Sequence, residues 1–180
     1  TIEEMRVGRH AAEEKPKMDV SIELPLEAYI PDQYIPDTKD KINVYQKLSS
    51  MDNLEFLEEL QKDLVTQYGR YPKQVANLFQ VLQIKLFAKM AGIVSIKTIP
   101  IRGGTRQVIL QMGPSMTAKQ IVNLLQYNSQ WLVTGESLKI DIQDLGFNWA
   151  EGLKENMKKL VSPKKNELPP LIPHEEKEIS

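Results

Sequence analysis

Glu55, Glu58, Glu59 and Asp63 are the residues whose types and spacing come nearest to a catalytic arrangement. Steps of four residues from Glu55 to Glu59 and on to Asp63 put three carboxylates on one helix face, where general acid–base chemistry could use them if that face lay in a cleft. Outside a cleft, the same row is a solvated surface or a docking surface for a basic partner. Other routes to catalysis are thin. The two histidines, His10 and His174, both stand in stretches that read as tails, so no imidazole acid, base or metal ligand is expected to act. Cysteine is absent, which excludes disulfides and thiolate metal sites. Gly103-Gly104 lack the flanking pattern of a Walker A loop or a dinucleotide fingerprint, and a hairpin turn accounts for both. The expectation is no catalytic residue, no metal and no cofactor. An unrecognised hydrolase would need buried carboxylates converging in a cleft.

The cations suggest a different class of function. Arg70, Lys73, Lys85, Lys89, Lys97, Arg102, Arg106, Lys119 and Lys139 face Glu136 alone within residues 70–140, a balance of about +8 in a chain of net charge −1. Residues 1–69 run the other way, with fifteen acids against eight bases. Lys85, Lys89, Lys97, Arg102 and Arg106 form a candidate anion or nucleic-acid surface. Few aromatics are interleaved with them, and no helix-turn-helix, zinc or RNP pattern is present. Direct DNA contact is therefore disfavoured, although an accessory nucleic-acid-binding domain stands as the alternative function.

These side chains must be positioned by an ordinary domain. A chain of 180 residues with 41% apolar composition suits one core plus tails. Residues 1–18 read as a linker, 19–161 as the domain, and the proline-punctuated 162–180 as a flexible tail. Val20 to Leu24 alternates like a half-buried strand, followed by the tandem Tyr29-Ile30-Pro31-Asp32 and Tyr34-Ile35-Pro36-Asp37. Each Ile-Pro favours an extended isoleucine and a turn, and Asp37 or Thr38 can cap a first helix with Ile42, Tyr45 and Leu48 as its apolar positions. Asp52 and Glu55 have capping-box spacing for a second helix buried through Leu54, Leu57, Leu60, Leu64 and Tyr68 and ended by Gly69.

Pro72 opens a third helix, about Lys73 to Ala91, that is apolar around most of its circumference and must be buried on more than one side. After Gly92 the period changes to two, giving a hairpin about Arg102-Gly103-Gly104-Thr105. A capped helix from Thr117, a second hairpin about Gly135 and a last helix from about Asn148 complete the order. The fold class is α+β, with helices packed on a small, mostly antiparallel sheet built from two hairpins. No apolar run approaches the roughly 20 residues of a membrane span, and Thr1 to Arg9 has no signal-peptide core, so a soluble cytoplasmic protein is expected.

The run Val20-Ser21-Ile22-Glu23-Leu24-Pro25, the tandem that follows, and Lys41-Ile42-Asn43-Val44-Tyr45-Gln46-Lys47-Leu48 resemble the start of the C-terminal domain of bacterial transcription-repair coupling factors. Leu57-Glu58-Glu59-Leu60, Tyr68-Gly69, Pro72, Asn77-Leu78 and Ala91-Gly92-Ile93 are similar to that domain's second and third helices. The likeness covers about Asp19 to Ile93 and thins toward Leu160.

The resemblance implies a noncatalytic α+β module beyond an ATP-dependent DNA translocase motor, which would lie upstream. It implies docking on a UvrB-like module, which masks recruitment of UvrA and restrains the motor until RNA polymerase is engaged. It also implies docking acids near the end of the second helix, which meet arginines of that module. By the match of Asp63-Leu64-Val65-Thr66-Gln67-Tyr68-Gly69, the first acid falls on Asp63 and the second on Thr66, a departure from the family pattern. Glu59, one turn earlier, can compensate, and Glu55 extends the row.

Overall fold

A computed structural model describes residues 19–128 and 130–161. The expected linker, residues 1–18, and tail, residues 162–180, lie outside the described residues, as do His10 and His174.

β1 (Ser21–Glu23) leads into the tandem repeat, whose Ile30, Tyr34 and Ile35 are buried. The Pro31 carbonyl accepts hydrogen bonds from the Tyr34 and Ile35 amides, which closes the turn, and Lys41 pairs with Asp32 across it. α1 (Thr38–Ser49) then starts at Asp37, whose carboxylate accepts from the Asp40 amide at 3.0 Å. Its buried face is Val44 and Leu48, not the expected Ile42–Tyr45–Leu48 row. Successive steps of three drift backward by roughly 60° each on a helix, whereas a step of four keeps Val44 and Leu48 aligned. Ile42 and Tyr45 are exposed, and the Tyr45 hydroxyl instead accepts the Ile30 amide at 2.8 Å.

α2 (Leu54–Tyr68) is capped by Asn53, not Asp52: the Asn53 side chain accepts the Glu55 amide at 2.8 Å. Leu57, Leu60 and Leu64 form its buried stripe. α3 (Lys73–Ala91) follows extended Pro72 and ends at Gly92, whose φ of 89° lies in the left-handed region that terminates helices cheaply only for glycine.

The sheet has the order β1–β2–β3–β5–β4 and is mixed. β2 (Ile93–Pro100) and β3 (Arg106–Met112) form the first expected hairpin, and β4 (Leu132–Thr134) and β5 (Ser137–Asp141) form the second. β5 pairs antiparallel with β3, while β1 joins the far edge parallel to β2, with Ser21 opposite Ser95. α4 (Ala118–Tyr127) opens with the expected capping box between Thr117 and Gln120. A 3₁₀ turn (Ile142–Leu145), not foreseen, leads from β5 to α5 (Trp149–Val161).

Apolar side chains form two clusters where one core was expected. In one, inward residues of β2, β3 and β5, among them Ile96, Leu110 and Ile140, pack under α3 and α5. In the other, Ile35, Val44, Leu48, Leu57 and Leu64 pack against Val75, Phe79 and Leu86. α3 serves both: Ile84 and Ala88 face the sheet cluster, while Leu86 faces the helical one. Burial on two sides is what its all-round apolar pattern required. No described helix is long and apolar enough to cross a membrane.

Candidate docking groove

The second copy of the tandem repeat fixes the end of α2. The Tyr34 hydroxyl reaches the carbonyls of Leu64 (3.2 Å) and Gly69 (2.9 Å), and its ring lies 5.8 Å from that of Tyr68. The Tyr68 hydroxyl in turn donates to Asp40 on α1 at 3.1 Å. Burial, with the neighbouring Tyr71 and Tyr68, holds the Tyr34 hydroxyl above the usual tyrosine range. Tyr68 is also raised, by burial first and then by its hydrogen bond to Asp40.

With Leu57, Leu60 and Leu64 turned inward, a stripe flanking them on α2 stands exposed as Phe56, Glu59 and Asp63. These three line an open groove of about 380 Å³ with Lys47, Ser50, Met51 and Asp52 from the end of α1 and the following turn. Two of the four expected docking positions thus lie in the groove. The others do not line it: Glu55 is exposed in the first turn of α2, and exposed Thr66 donates its hydroxyl to the Lys62 carbonyl at 2.9 Å. Among the described residues, no ion pair or hydrogen bond engages the carboxylate of Glu59 or Asp63. Both remain open to a cation brought by a partner.

Sequence reasoning missed Phe56. Its signal was present, because it is apolar and sits one position off the Leu57–Leu60–Leu64 stripe.

The five cations of the alternative surface are distributed over separate parts of the fold. Lys85 bonds Asp19 at 2.8 Å and, with Lys89 one turn along α3, borders a second cleft of about 380 Å³ over Leu48, Met51, Leu82 and Leu86. Lys97 projects from the helix-free face of the sheet, in register with Glu23 and Ile109. Arg102 lies in the β2–β3 loop, and Arg106 opens β3 opposite Pro100.

The condition set for a hydrolase is not met among the described residues: no carboxylate or other charged side chain is buried, and no group of three or more His, Asp or Glu could hold a metal. What the groove can do is electrostatic. It offers Glu59 and Asp63 beside an exposed aromatic ring, with Lys47 and Asp52 also on its lining.

A family model described as the TRCF domain matches residues 24–119. The chain is similar to the transcription-repair-coupling factor of Bacillus subtilis (strain 168), with 32% identity over 173 residues, covering 88% of this chain and 14% of that relative. It is also similar to the Staphylococcus epidermidis protein of the same name, with 30% identity over 155 residues, covering 81% of the chain and 13% of the relative. This chain therefore spans about a seventh of the length of these relatives. Among solved structures it resembles the crystal structure of a C-terminal domain of transcription-repair coupling factor, with a TM-score of 0.66, 23% identity and coverage of 82% of this chain and 96% of that one.

Proposed function

From the premise that this chain belongs to the transcription-repair coupling factor family and has the fold of its C-terminal domain, we propose that it is a noncatalytic regulatory domain that docks through the α2 groove. The docking partner is the UvrB-like module of the full-length protein. Docking hides the surface that recruits UvrA and restrains the ATP-dependent DNA translocase until RNA polymerase is engaged. The observation that carries this reading is the pair Glu59 and Asp63, exposed in one groove and without a cationic partner among the described residues. Exposed ion pairs contribute about 0–1 kcal/mol each, so a few of them make a contact that closes and also reopens. The nucleic-acid reading has less support, since its five cations are dispersed and Lys85 is already paired.

Charge reversal tests the proposal. In the full-length protein, Glu59→Lys with Asp63→Lys is expected to weaken docking, raising UvrA binding and translocase activity together. Unchanged values for both would refute it.

A further inference from the structure

We propose that Phe56 makes the groove selective for arginine over lysine on the docking surface, an inference that rests on the docking reading above. The ring is 56% exposed and belongs to neither apolar cluster, so its face is available to a partner. It lies in line with Glu59 and Asp63, one and two turns along the same face of α2, inside the same groove. Glu59 and Asp63 stand there without a cationic partner among the described residues, so the occupant is a cationic protein surface, and a phosphate backbone would be repelled.

The two cationic side chains differ in what they can do there. A guanidinium is planar and weakly hydrated. It can lie flat on a phenyl face while its in-plane N–H groups donate to a carboxylate alongside. An ammonium is compact and strongly hydrated, so covering the ring strips more water from it and leaves no fork to bridge to Glu59 or Asp63. Phe56 thus favours arginine, while the two acids supply the attraction common to both.

The test titrates the 180-residue chain with acetyl-Arg-Gly-Arg-amide and acetyl-Lys-Gly-Lys-amide, followed by NMR. The arginine peptide is expected to bind about two- to fivefold more tightly, with its Hδ protons shifted upfield by the ring. Phe56→Tyr should keep that ratio. Phe56→Leu, which keeps apolar volume and removes the ring, should bring the ratio to about one. Glu59→Gln with Asp63→Asn should abolish binding of both peptides. If Phe56→Leu leaves the arginine preference intact while the acid substitutions abolish binding, this inference is wrong and the docking reading stands. If neither peptide binds, this inference falls and the docking reading is decided by the charge reversal in the full-length protein; if the acid substitutions leave peptide binding unchanged, both fall.

Discussion

Replacing Ile84 and Leu86 separately by alanine tests whether α3 welds the two clusters into one cooperative unit. The two residues stand two positions apart, at 0% and 6% exposure, and face opposite clusters. Each substitution removes three buried carbons, about 2.4 kcal/mol at about 0.8 kcal/mol per carbon, and the cavity left behind raises the cost to about 3 kcal/mol. With a urea slope near 2 kcal/mol/M, the unfolding midpoint should fall by about 1.5 M in each variant. The two clusters can be read separately. Trp131 and Trp149 both belong to the sheet cluster, so tryptophan fluorescence follows that side, while amide exchange in α1 and α2 follows the other. If one rigid helix serves both, each variant must lower both readouts equally. A Leu86→Ala protein that loses protection in α1 and α2 while its tryptophan transition stays in place would refute the reasoning.

Gly152→Ala should destabilise, although it lies inside α5. Its Cβ would fall 2.3 Å from the Leu145 carbonyl oxygen, and that overlap outweighs the roughly 1 kcal/mol gain in helix propensity. A net loss of roughly 1–2 kcal/mol appears as a Tm lowered by roughly 3–8 °C in calorimetry, and a raised Tm contradicts it. Tyr34→Phe should cost about 1 kcal/mol at neutral pH by leaving the Leu64 and Gly69 carbonyls without their hydroxyl donor, as measured by urea unfolding. Because the folded protein holds the Tyr34 proton more tightly than the unfolded chain, its contribution is intact below pH 10 and is lost as pH rises through the folded value. Melting curves of the parent protein from pH 9 upward should therefore fall more steeply than those of Tyr34→Phe.

The regular parts of the fold were legible where one signal pointed one way. Thr117 and Gln120 spelled out a capping box, Gly92 ended α3, and the change of period after it marked the hairpin strands. Asn53 displaced Asp52 because either side chain can cap a helix and the buried leucines do not move with the choice. The face of α1 was misread because Ile42 and Tyr45 are apolar yet lie off the Val44–Leu48 line. The groove acids Glu59 and Asp63 were visible as types and spacing. That Glu55 and Thr66 fall outside the groove depends on how the turn after α1 packs beside α2, which a sequence pattern does not encode. The five cations looked like one block because they are close in sequence, but α3 and the two faces of the sheet separate them.

β1 has a consequence for the order in which the chain assembles. Its partner Ser95 lies beyond all three helices α1 to α3, whereas β2 meets β3 across the short loop at residues 101–105. The longer closure is about four doublings of loop length, roughly 2.5 kcal/mol of additional chain entropy. Three residues of pairing cannot repay that in an unfolded chain, so the strand registers only after the helices have collapsed and brought Asp19 within reach of Lys85. The first described element in the chain is then among the last to fold, closing a structure that the hairpin and helices have already nucleated.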